Sequence, residues 1–196
     1  MRLNNHLIKK GFELRMKKAI IVIIVAIIAL IIILNSRNIL KLIYKTNYSE
    51  YVEKYAQEND IDPLLIYAII KAESNFNELA ESNRGACGLM QLMDSTAREV
   101  ATNTAIEYET GNTLYNPEKN IALGVKYFAD LKSQLKYTQV ALAAYNAGIG
   151  NVTKWIENGT IKADGSDIEN IPFKETNIYV RKILKDYKIY QKLYEE

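Results

Sequence analysis

The feature that most constrains this chain is an unbroken apolar run from Ala19 to Leu34, preceded by Lys17 and Lys18. A helix of strongly apolar residues with no polar face would need to be covered on all sides, which a small domain cannot provide. As a helix the run would span roughly 24 Å, close to the ~30 Å hydrocarbon core of a bilayer if the flanking lysines snorkel. We therefore predict a transmembrane anchor at residues 19–34.

A cleavable signal peptide is the competing interpretation of this run. The run is long for such a peptide, and residues 35–38 (Asn-Ser-Arg-Asn) offer no small-x-small cleavage site. Residues 1–34 carry 6 basic side chains against 1 acidic one, a net charge of +5. By the positive-inside rule, we expect residues 1–18 to be a cytoplasmic basic tail and the rest of the chain to lie on the extracytoplasmic side.

Charge and rare residue types limit the chemistry of the remaining chain. Residues 35–196 have a net charge of 2 − 5 = −3, so they have no excess of positive charge for holding nucleic acid. The only histidine, His6, lies in the tail, which excludes histidine-dependent triads and histidine-based metal sites elsewhere. Cys87 is the only cysteine, so no intramolecular disulfide can form. We expect no metal or cofactor, and chemistry based on carboxylates, hydroxyls and amides.

The spacing of apolar residues predicts a mainly helical domain over residues 48–196, joined to the anchor by a juxtamembrane linker at 35–47. Asp62 suits the N-cap and Pro63 the first turn of a helix that is apolar over most of its circumference. We expect this helix to be the central buried one.

Other helices are predicted around it, with at most one short β element. They begin at Tyr48 (with Ser49 as a cap), cover 95–104, 120–135 and 138–147, and end with one opened by Pro172. The segment 158–170 contains Gly159 and an Asp-Gly pair, which fit a loop or a small hairpin.

Glu73 ends the central apolar helix and is the candidate catalytic acid. Burial and the negative end of the helix dipole both disfavour an ionised carboxylate there, so its pKa should be raised. A carboxylic acid delivers a proton to a glycosidic oxygen near neutral pH only if its pKa is raised in this way. On position alone, a solvated glutamate just past a helix end is an equally good interpretation.

The residues around and after Glu73 form an ordered set of motifs. They are Glu73-Ser74, Ser82, Gly85 to Met93 (Gly-Ala-Cys-Gly-Leu-Met-Gln-Leu-Met), Asn120-Ile121 with Gly124 and Tyr127, Ala144 to Gly148 (Ala-Tyr-Asn-Ala-Gly), and Ile171 to Val180. Together they closely resemble the soluble-lytic-transglycosylase family, lysozyme-like enzymes that cut bacterial peptidoglycan. The resemblance covers about residues 48–190. One departure is Asp94, where many members have proline; Asp can cap the next helix from there.

The resemblance implies a mainly α, lysozyme-like fold and a particular reaction. Family members break the β-1,4 bond between N-acetylmuramic acid and N-acetylglucosamine without adding water. The muramic acid 6-hydroxyl attacks its own anomeric carbon and leaves a 1,6-anhydro end. Glu73 would be the general acid and then the general base, and no second carboxylate need act as nucleophile. The implied partner is the peptidoglycan glycan strand.

The resemblance also assigns substrate contacts on the loop after Glu73. Ser82 and Gln91 would hydrogen-bond the sugar and its acetamido group near the cleaved bond, and Met93 would form an apolar wall. An uncharged amide inside the Leu-Met-Gln-Leu-Met sequence should need a partner, which favours a role for Gln91. Met90 is better explained as a core residue.

Later motifs would complete the cleft. By resemblance, Tyr145 hydrogen-bonds close to Glu73, Asn146 supports the turn that carries it, and Tyr179 lines the cleft. Ser74 is better explained as a residue that caps or turns the chain. Cys87 has no histidine partner in the domain, so a packed thiol is a better interpretation than a nucleophile.

Two other functions remain open on the sequence. A hydrolytic muramidase related to goose-type lysozymes would share the single-acid architecture, because the fate of the intermediate depends on whether water reaches it. A non-catalytic glycan-binding or scaffold module in an envelope machine is a different class, against which the presence of Glu73, Gln91 and Tyr145 argues.

Overall fold

The computed structural model describes the backbone of residues 2–195 and the side chains of residues 15–195. It divides into two compact units, Met1–Ile43 and Tyr44–Glu196. In the first unit, helix α1 runs from Arg2 to Leu34 and α2 from Ser36 to Ile43. The predicted cytoplasmic tail falls largely outside the described side chains, which exclude the basic residues at positions 2–10 and His6.

The apolar run forms the second half of α1. Arg15–Leu34 is long and apolar enough to cross a membrane, with a mean hydropathy of 3.0, and the apolar stretch is not buried against the rest of the described chain. This finding rests on length and composition. The predicted linker at 35–47 differs from the structure, because its first part is helical in α2 and Tyr44 belongs to the core of the second unit. The Tyr44 hydroxyl donates a 2.9 Å hydrogen bond to Asp186, which fixes the chain there.

The second unit is mainly helical. Its helices are α3 (Ser49–Glu58), α4 (Pro63–Glu73), α5 (Asp94–Thr102), α6 (Pro117–Leu135), α7 (Thr138–Ala147), α8 (Ile149–Glu157) and α9 (Lys174–Tyr194). Single 3-10 turns occur at Thr113–Tyr115 and Ile168–Asn170. Strands β1 (Ala86–Cys87) and β2 (Leu92–Met93) pair antiparallel, with Ala86 opposite Met93. A mainly α fold with one small β element is therefore confirmed.

Helix α4 is the central buried helix, as predicted. The Asp62 carboxylate accepts a 2.8 Å hydrogen bond from the backbone N–H of Leu64, and Pro63 occupies the first turn, where its missing N–H costs nothing. Six consecutive residues, 65–70, are buried. Helix α9 packs along α4 and also against α7, and α7 packs against α6.

Two apolar clusters make up the core. The larger lies among α3, α4, α6, α7 and α9, and the smaller gathers Leu92, Ala97, Val100, Leu114 and Leu123 beneath the hairpin and α5. The rings of Tyr127 and Tyr145 pack against both clusters. They lie 5.2 Å apart between ring centroids, at the boundary between the two parts of the core.

Of the two interpretations of residues 158–170, a loop or a small hairpin, the loop is confirmed. Residues 158–170 form a loop that ends in a 3-10 turn, and the strands lie instead within Gly85–Met93. Helix α8 was not predicted, although Ile149, Val152 and Ile156 follow helical spacing. The helix was missed because Gly148 and Gly150 suggested a stop, whereas Gly148 ends α7 and begins α8 at once, with φ of 85°.

Three predicted helix starts need correction. The N-cap of α3 is Tyr48 rather than Ser49, and no described side chain caps this helix. Asp94 is the first residue of α5 rather than its cap, because its carboxylate accepts hydrogen bonds from Arg98 and the Tyr108 hydroxyl. The last helix begins at Lys174, two residues after Pro172.

Candidate active site

Glu73 is the last residue of α4, and the chain reverses immediately after it. Asn75 and Phe76 both adopt left-handed backbone conformations, with φ of 50° and 66°, and the Phe76 ring is buried. Ser74 ends the helix, and its hydroxyl donates to the carbonyl of Leu89 at 2.8 Å. The turn therefore fastens the end of α4 to the loop that carries Gln91 and Met93.

The Glu73 carboxyl is half-buried and shares a short hydrogen bond with α9. The Tyr179 hydroxyl donates to Glu73 Oε1 at 2.6 Å. Tyr179 faces α4 because α9 packs along that helix. A residue expected only to line the cleft is thus the direct partner of the candidate acid.

Burial raises the pKa of the Glu73 carboxyl from 4.5 to about 7. The Tyr179 hydrogen bond and the charge of Lys182 oppose this rise, because both favour the ionised carboxylate, while the charge of Glu175 adds to it. The cost of desolvation outweighs the two stabilising effects. Close to neutral pH, Glu73 therefore exists in both protonated and ionised forms, as a group that gives and then takes a proton requires.

Asn120 holds the loop of residues 85–93, to which Ser74 ties the end of α4. Its side chain is fully buried, donates to the carbonyls of Cys87 and Leu114 at 3.0 and 2.8 Å, and accepts from the Met90 backbone N–H at 2.8 Å. A Cβ at Gly88 would lie 2.1 Å from the Leu114 carbonyl oxygen, so only glycine allows the loop to approach this closely. The glycine and the buried amide together fix the path of the hairpin.

Gln91 sits at the tip of the same loop in a left-handed conformation, with φ of 48°. Its side-chain Nε2 donates to the carbonyls of Ala80 and Gly88 at 3.1 and 3.0 Å. Its Oε1 accepts no hydrogen bond from the described residues. The amide thus has the partner that the sequence required, which is the protein backbone, and it keeps an acceptor available for a ligand.

Tyr145 lies close to Glu73 but donates its hydroxyl hydrogen elsewhere. The acceptor is the carbonyl of Met90, at 2.8 Å. Burial raises the pKa of Tyr145 well above its usual value, and the negative charge of Glu73 adds to the rise. The tyrosine therefore supports the loop beside the carboxyl. Met90 is fully buried, which confirms that it is a core residue.

The other predicted site residues do not hydrogen-bond Glu73. Ser82 Oγ accepts from the Ala86 backbone N–H at 2.9 Å and stabilises the turn before β1. Met93 is 41% exposed at the end of β2. Asn146 Oδ1 accepts from the Thr176 hydroxyl at 2.7 Å, which ties α7 to the first turn of α9.

Sequence reasoning missed the two charges that adjust the Glu73 pKa. Glu175 and Lys182 lie four residues before and three after Tyr179 on α9. Residues at these spacings share a helix face, so the side that presents Tyr179 also presents these charges. The helical spacing was therefore the signal that could have identified them.

Comparison with known families assigns the domain. Residues 50–168 match the Transglycosylase SLT domain. The chain belongs to this family. The match runs from the second residue of α3 to the first residue of the 3-10 turn before α9, so it includes Glu73 and the loop that Asn120 holds.

Two relatives of this chain are named lytic murein transglycosylases. The chain is 35% identical over 147 residues to a putative soluble lytic murein transglycosylase of Haemophilus influenzae, covering 74% of this chain and 25% of the relative. It is 34% identical over 119 residues to membrane-bound lytic murein transglycosylase C of Actinobacillus pleuropneumoniae, covering 55% of this chain and 32% of that protein. The chain thus spans about a quarter to a third of these relatives.

A solved structure shares the fold. It is that of an inactive glutamate-to-glutamine mutant of the lytic transglycosylase Slt from Pseudomonas aeruginosa, which aligns with a TM-score of 0.72 and 34% identity. The alignment covers 78% of this chain and 25% of that one. The predicted lysozyme-like SLT fold is confirmed by this similarity.

Proposed function

We propose that this protein is a membrane-anchored peptidoglycan lytic transglycosylase in which Glu73 is the general acid and then the general base. The observation that carries the proposal is the half-buried Glu73 carboxyl, with a pKa of about 7 and a hydrogen bond from Tyr179. Membership of the SLT family supports the substrate class. So does the name lytic murein transglycosylase that its relatives carry.

In the first proposed step, protonated Glu73 gives its proton to the glycosidic oxygen between N-acetylmuramic acid and N-acetylglucosamine. The carbon–oxygen bond breaks, N-acetylglucosamine leaves with the proton, and positive charge develops at the muramic acid anomeric carbon. Glu73 is now ionised, and the Tyr179 hydroxyl stabilises it because that hydrogen bond favours the carboxylate.

In the second proposed step, Glu73 takes the proton from the muramic acid 6-hydroxyl while that oxygen bonds to the anomeric carbon. The product is a 1,6-anhydro ring, Glu73 is protonated again, and no water is consumed. One carboxyl with a pKa near the working pH suits both transfers.

The remaining predicted residues would position the sugars. Gln91 Oε1, left available by the two bonds of Nε2, would accept from an acetamido N–H. Exposed Met93 would contact an apolar sugar face. Ser82 would hydrogen-bond the sugar near the cleaved bond. Tyr145 and Asn146 would act by holding the loop and α9.

The proposed location is the extracytoplasmic side of the cell membrane. Arg15–Leu34 would be a single-pass anchor with the basic tail in the cytoplasm, by the positive-inside rule. A relative named membrane-bound supports membrane association. The glycan strand would then be reached from outside the membrane by the second unit.

The deciding experiment digests purified peptidoglycan with the full chain in detergent and weighs the muropeptides. We expect muramic acid ends that are lighter by one water than reducing ends. Reducing ends would instead identify a hydrolytic muramidase. Binding of glycan without any cleavage would favour a scaffold module.

The variant Glu73→Gln tests the residue assignment in the same assay. Its rate should fall at least about 100-fold, the lower end of what a positioned acid-base group supplies. Glu58→Gln is the matched control, because Glu58 is exposed at the end of α3. Equal rates for Glu73→Gln and the parent would remove Glu73 from the mechanism.

A further inference from the structure

Helix α9 carries a stripe of four exposed cations, Arg181, Lys185, Lys188 and Lys192, here called the basic stripe. At about 100° per residue, they fall within an arc of roughly 60°. Tyr179, which contacts Glu73, lies on the opposite side of the helix. The stripe is therefore separate from the proposed catalytic face.

The basic stripe is unusual because the unit that carries it is acidic. Residues 44–196 hold 17 Lys and Arg against 22 Asp and Glu, a net charge of 17 − 22 = −5. Helix α9 alone holds 6 basic and 2 acidic residues, a net charge of 6 − 2 = +4. No acidic side chain among residues 15–195 forms a salt bridge with these cations.

Apolar side chains lie between and beside the cations. A shallow groove is lined by the four stripe residues together with Ile168, Leu184 and Ile189. Ile178, one turn before Arg181, is 55% exposed. Long cationic side chains flanking an apolar surface suit the interface of a membrane, where the stems contact lipid and the charged ends meet headgroups.

The stripe also lies on the helix that hydrogen-bonds the first residues of the second unit. The Tyr190 hydroxyl donates to the Lys45 carbonyl and the Tyr194 hydroxyl to the Tyr44 carbonyl, both at 2.7 Å. Tyr44 follows Leu34, the end of the candidate span, by ten residues. Even fully extended, that connection reaches roughly 35 Å. In an anchored chain, Tyr44 can therefore lie no further than about 35 Å from the end of the span.

We propose that the basic stripe of α9 docks on anionic phospholipid headgroups of the membrane in which the chain is anchored. This inference rests on the anchor in the proposed function. Docking through the stripe fixes the domain on the surface by one face of α9, and because Tyr179 is on the other face, the Glu73 carboxyl stays clear of the membrane. Attraction between cations and an anionic surface supplies the affinity.

Lysine footprinting of the full chain tests the docking. The chain is incorporated into nanodiscs of phosphatidylcholine, with or without about a third of phosphatidylglycerol, and treated with an uncharged amine-acylating reagent. Mass spectrometry then gives a labelling rate for each lysine. Two exposed lysines serve as references: Lys136, which follows the end of α6, and Lys154 on α8.

We expect Lys185, Lys188 and Lys192 to be labelled about fivefold more slowly in the anionic discs, with the references unchanged. High salt should abolish the difference. Lys188→Gln should weaken the protection of Lys185 and Lys192, whereas the control Lys154→Gln should leave it intact. Slower labelling that persists in high salt would mean apolar insertion and would overturn the electrostatic docking.

The other outcomes are equally decisive. Incorporation into both discs with equal labelling of the stripe would overturn the docking and leave the anchor standing. Failure to enter either disc would overturn the anchor and the docking together. Protection by added soluble polyglycerol phosphate but not by anionic discs would identify a phosphate polymer as the partner and overturn the lipid assignment.

Discussion

The Tyr179 hydroxyl donates a 2.6 Å hydrogen bond to Oε1 of Glu73, across 106 positions of the sequence. The bond joins the end of α4 to the first half of α9. A second connection between these helices is the partly buried ion pair of Lys71 with Asp186, at 3.1 Å. The Tyr44 hydroxyl also donates a hydrogen bond to Asp186. The protonation of Glu73 therefore depends on how two helices that are far apart in the sequence pack against each other.

Tyr179→Phe should move the alkaline limb of the activity profile to higher pH. The lost hydrogen bond favours ionised Glu73, so its removal raises the pKa of the carboxyl further. The maximal rate should also fall, because the carboxylate formed on proton transfer loses a donor. The measurement is the rate of anhydro-end formation against pH. Tyr137→Phe, on an exposed ring, is the control and should match the parent.

Glu175→Gln and Lys182→Met should shift that limb in opposite directions. The Glu175 charge raises the pKa of Glu73 and the Lys182 charge lowers it. Removing the first should move the limb to lower pH, and removing the second should move it to higher pH. Glu169→Gln and Lys136→Met are controls of the same charge change. Identical profiles for all four variants would contradict the assigned electrostatics.

The contribution of Glu73 to the free energy of unfolding should fall as the pH rises through the range from about 4.5 to about 7. The folded pKa of Glu73 is raised, so its contribution is complete below 4.5 and is lost as the pH passes the folded value. Glu73→Gln lacks this titration. From about pH 4.5 to above pH 7, the stability of the variant relative to wild type should therefore rise by roughly 3 kcal/mol.

The measurement is the free energy of unfolding in detergent at a series of pH values, compared between wild type and variant so that other titrations cancel. Glu58→Gln should follow wild type throughout. A constant difference between Glu73→Gln and wild type would show that Glu73 ionises equally easily in the folded and unfolded chain.

Asn120→Ala should destabilise the domain by roughly 2 to 4 kcal/mol, because it removes the hydrogen bonds of three backbone groups, two of them at buried contacts. These are the Met90 N–H and the carbonyls of Cys87 and Leu114. Denaturant unfolding measures the change. Asn103→Ala, at an exposed helix end, should stay within about 0.5 kcal/mol of wild type. Similar values for the two variants would refute the bracing role of Asn120.

Much of the fold followed from local sequence. Asp62 and Pro63 marked the start of α4, and its continuous apolar surface identified it as the central helix. The predicted helix boundaries were wrong where one residue belongs to two helices or hydrogen-bonds a side chain outside its own turn. Gly148 ends one helix and begins the next, and Asp94 bonds Arg98 and Tyr108 instead of capping.

The sequence by itself determined the apolar run, the helical class, the family and the candidate acid, because these depend on composition, periodicity and motif order along the chain. Only the tertiary structure decided which tyrosine meets Glu73, since Tyr145 turns to the Met90 carbonyl and Tyr179 takes the carboxyl. It also decided the pKa of about 7. Desolvation and short hydrogen bonds depend on how distant helices pack, which spacing along a single chain does not encode.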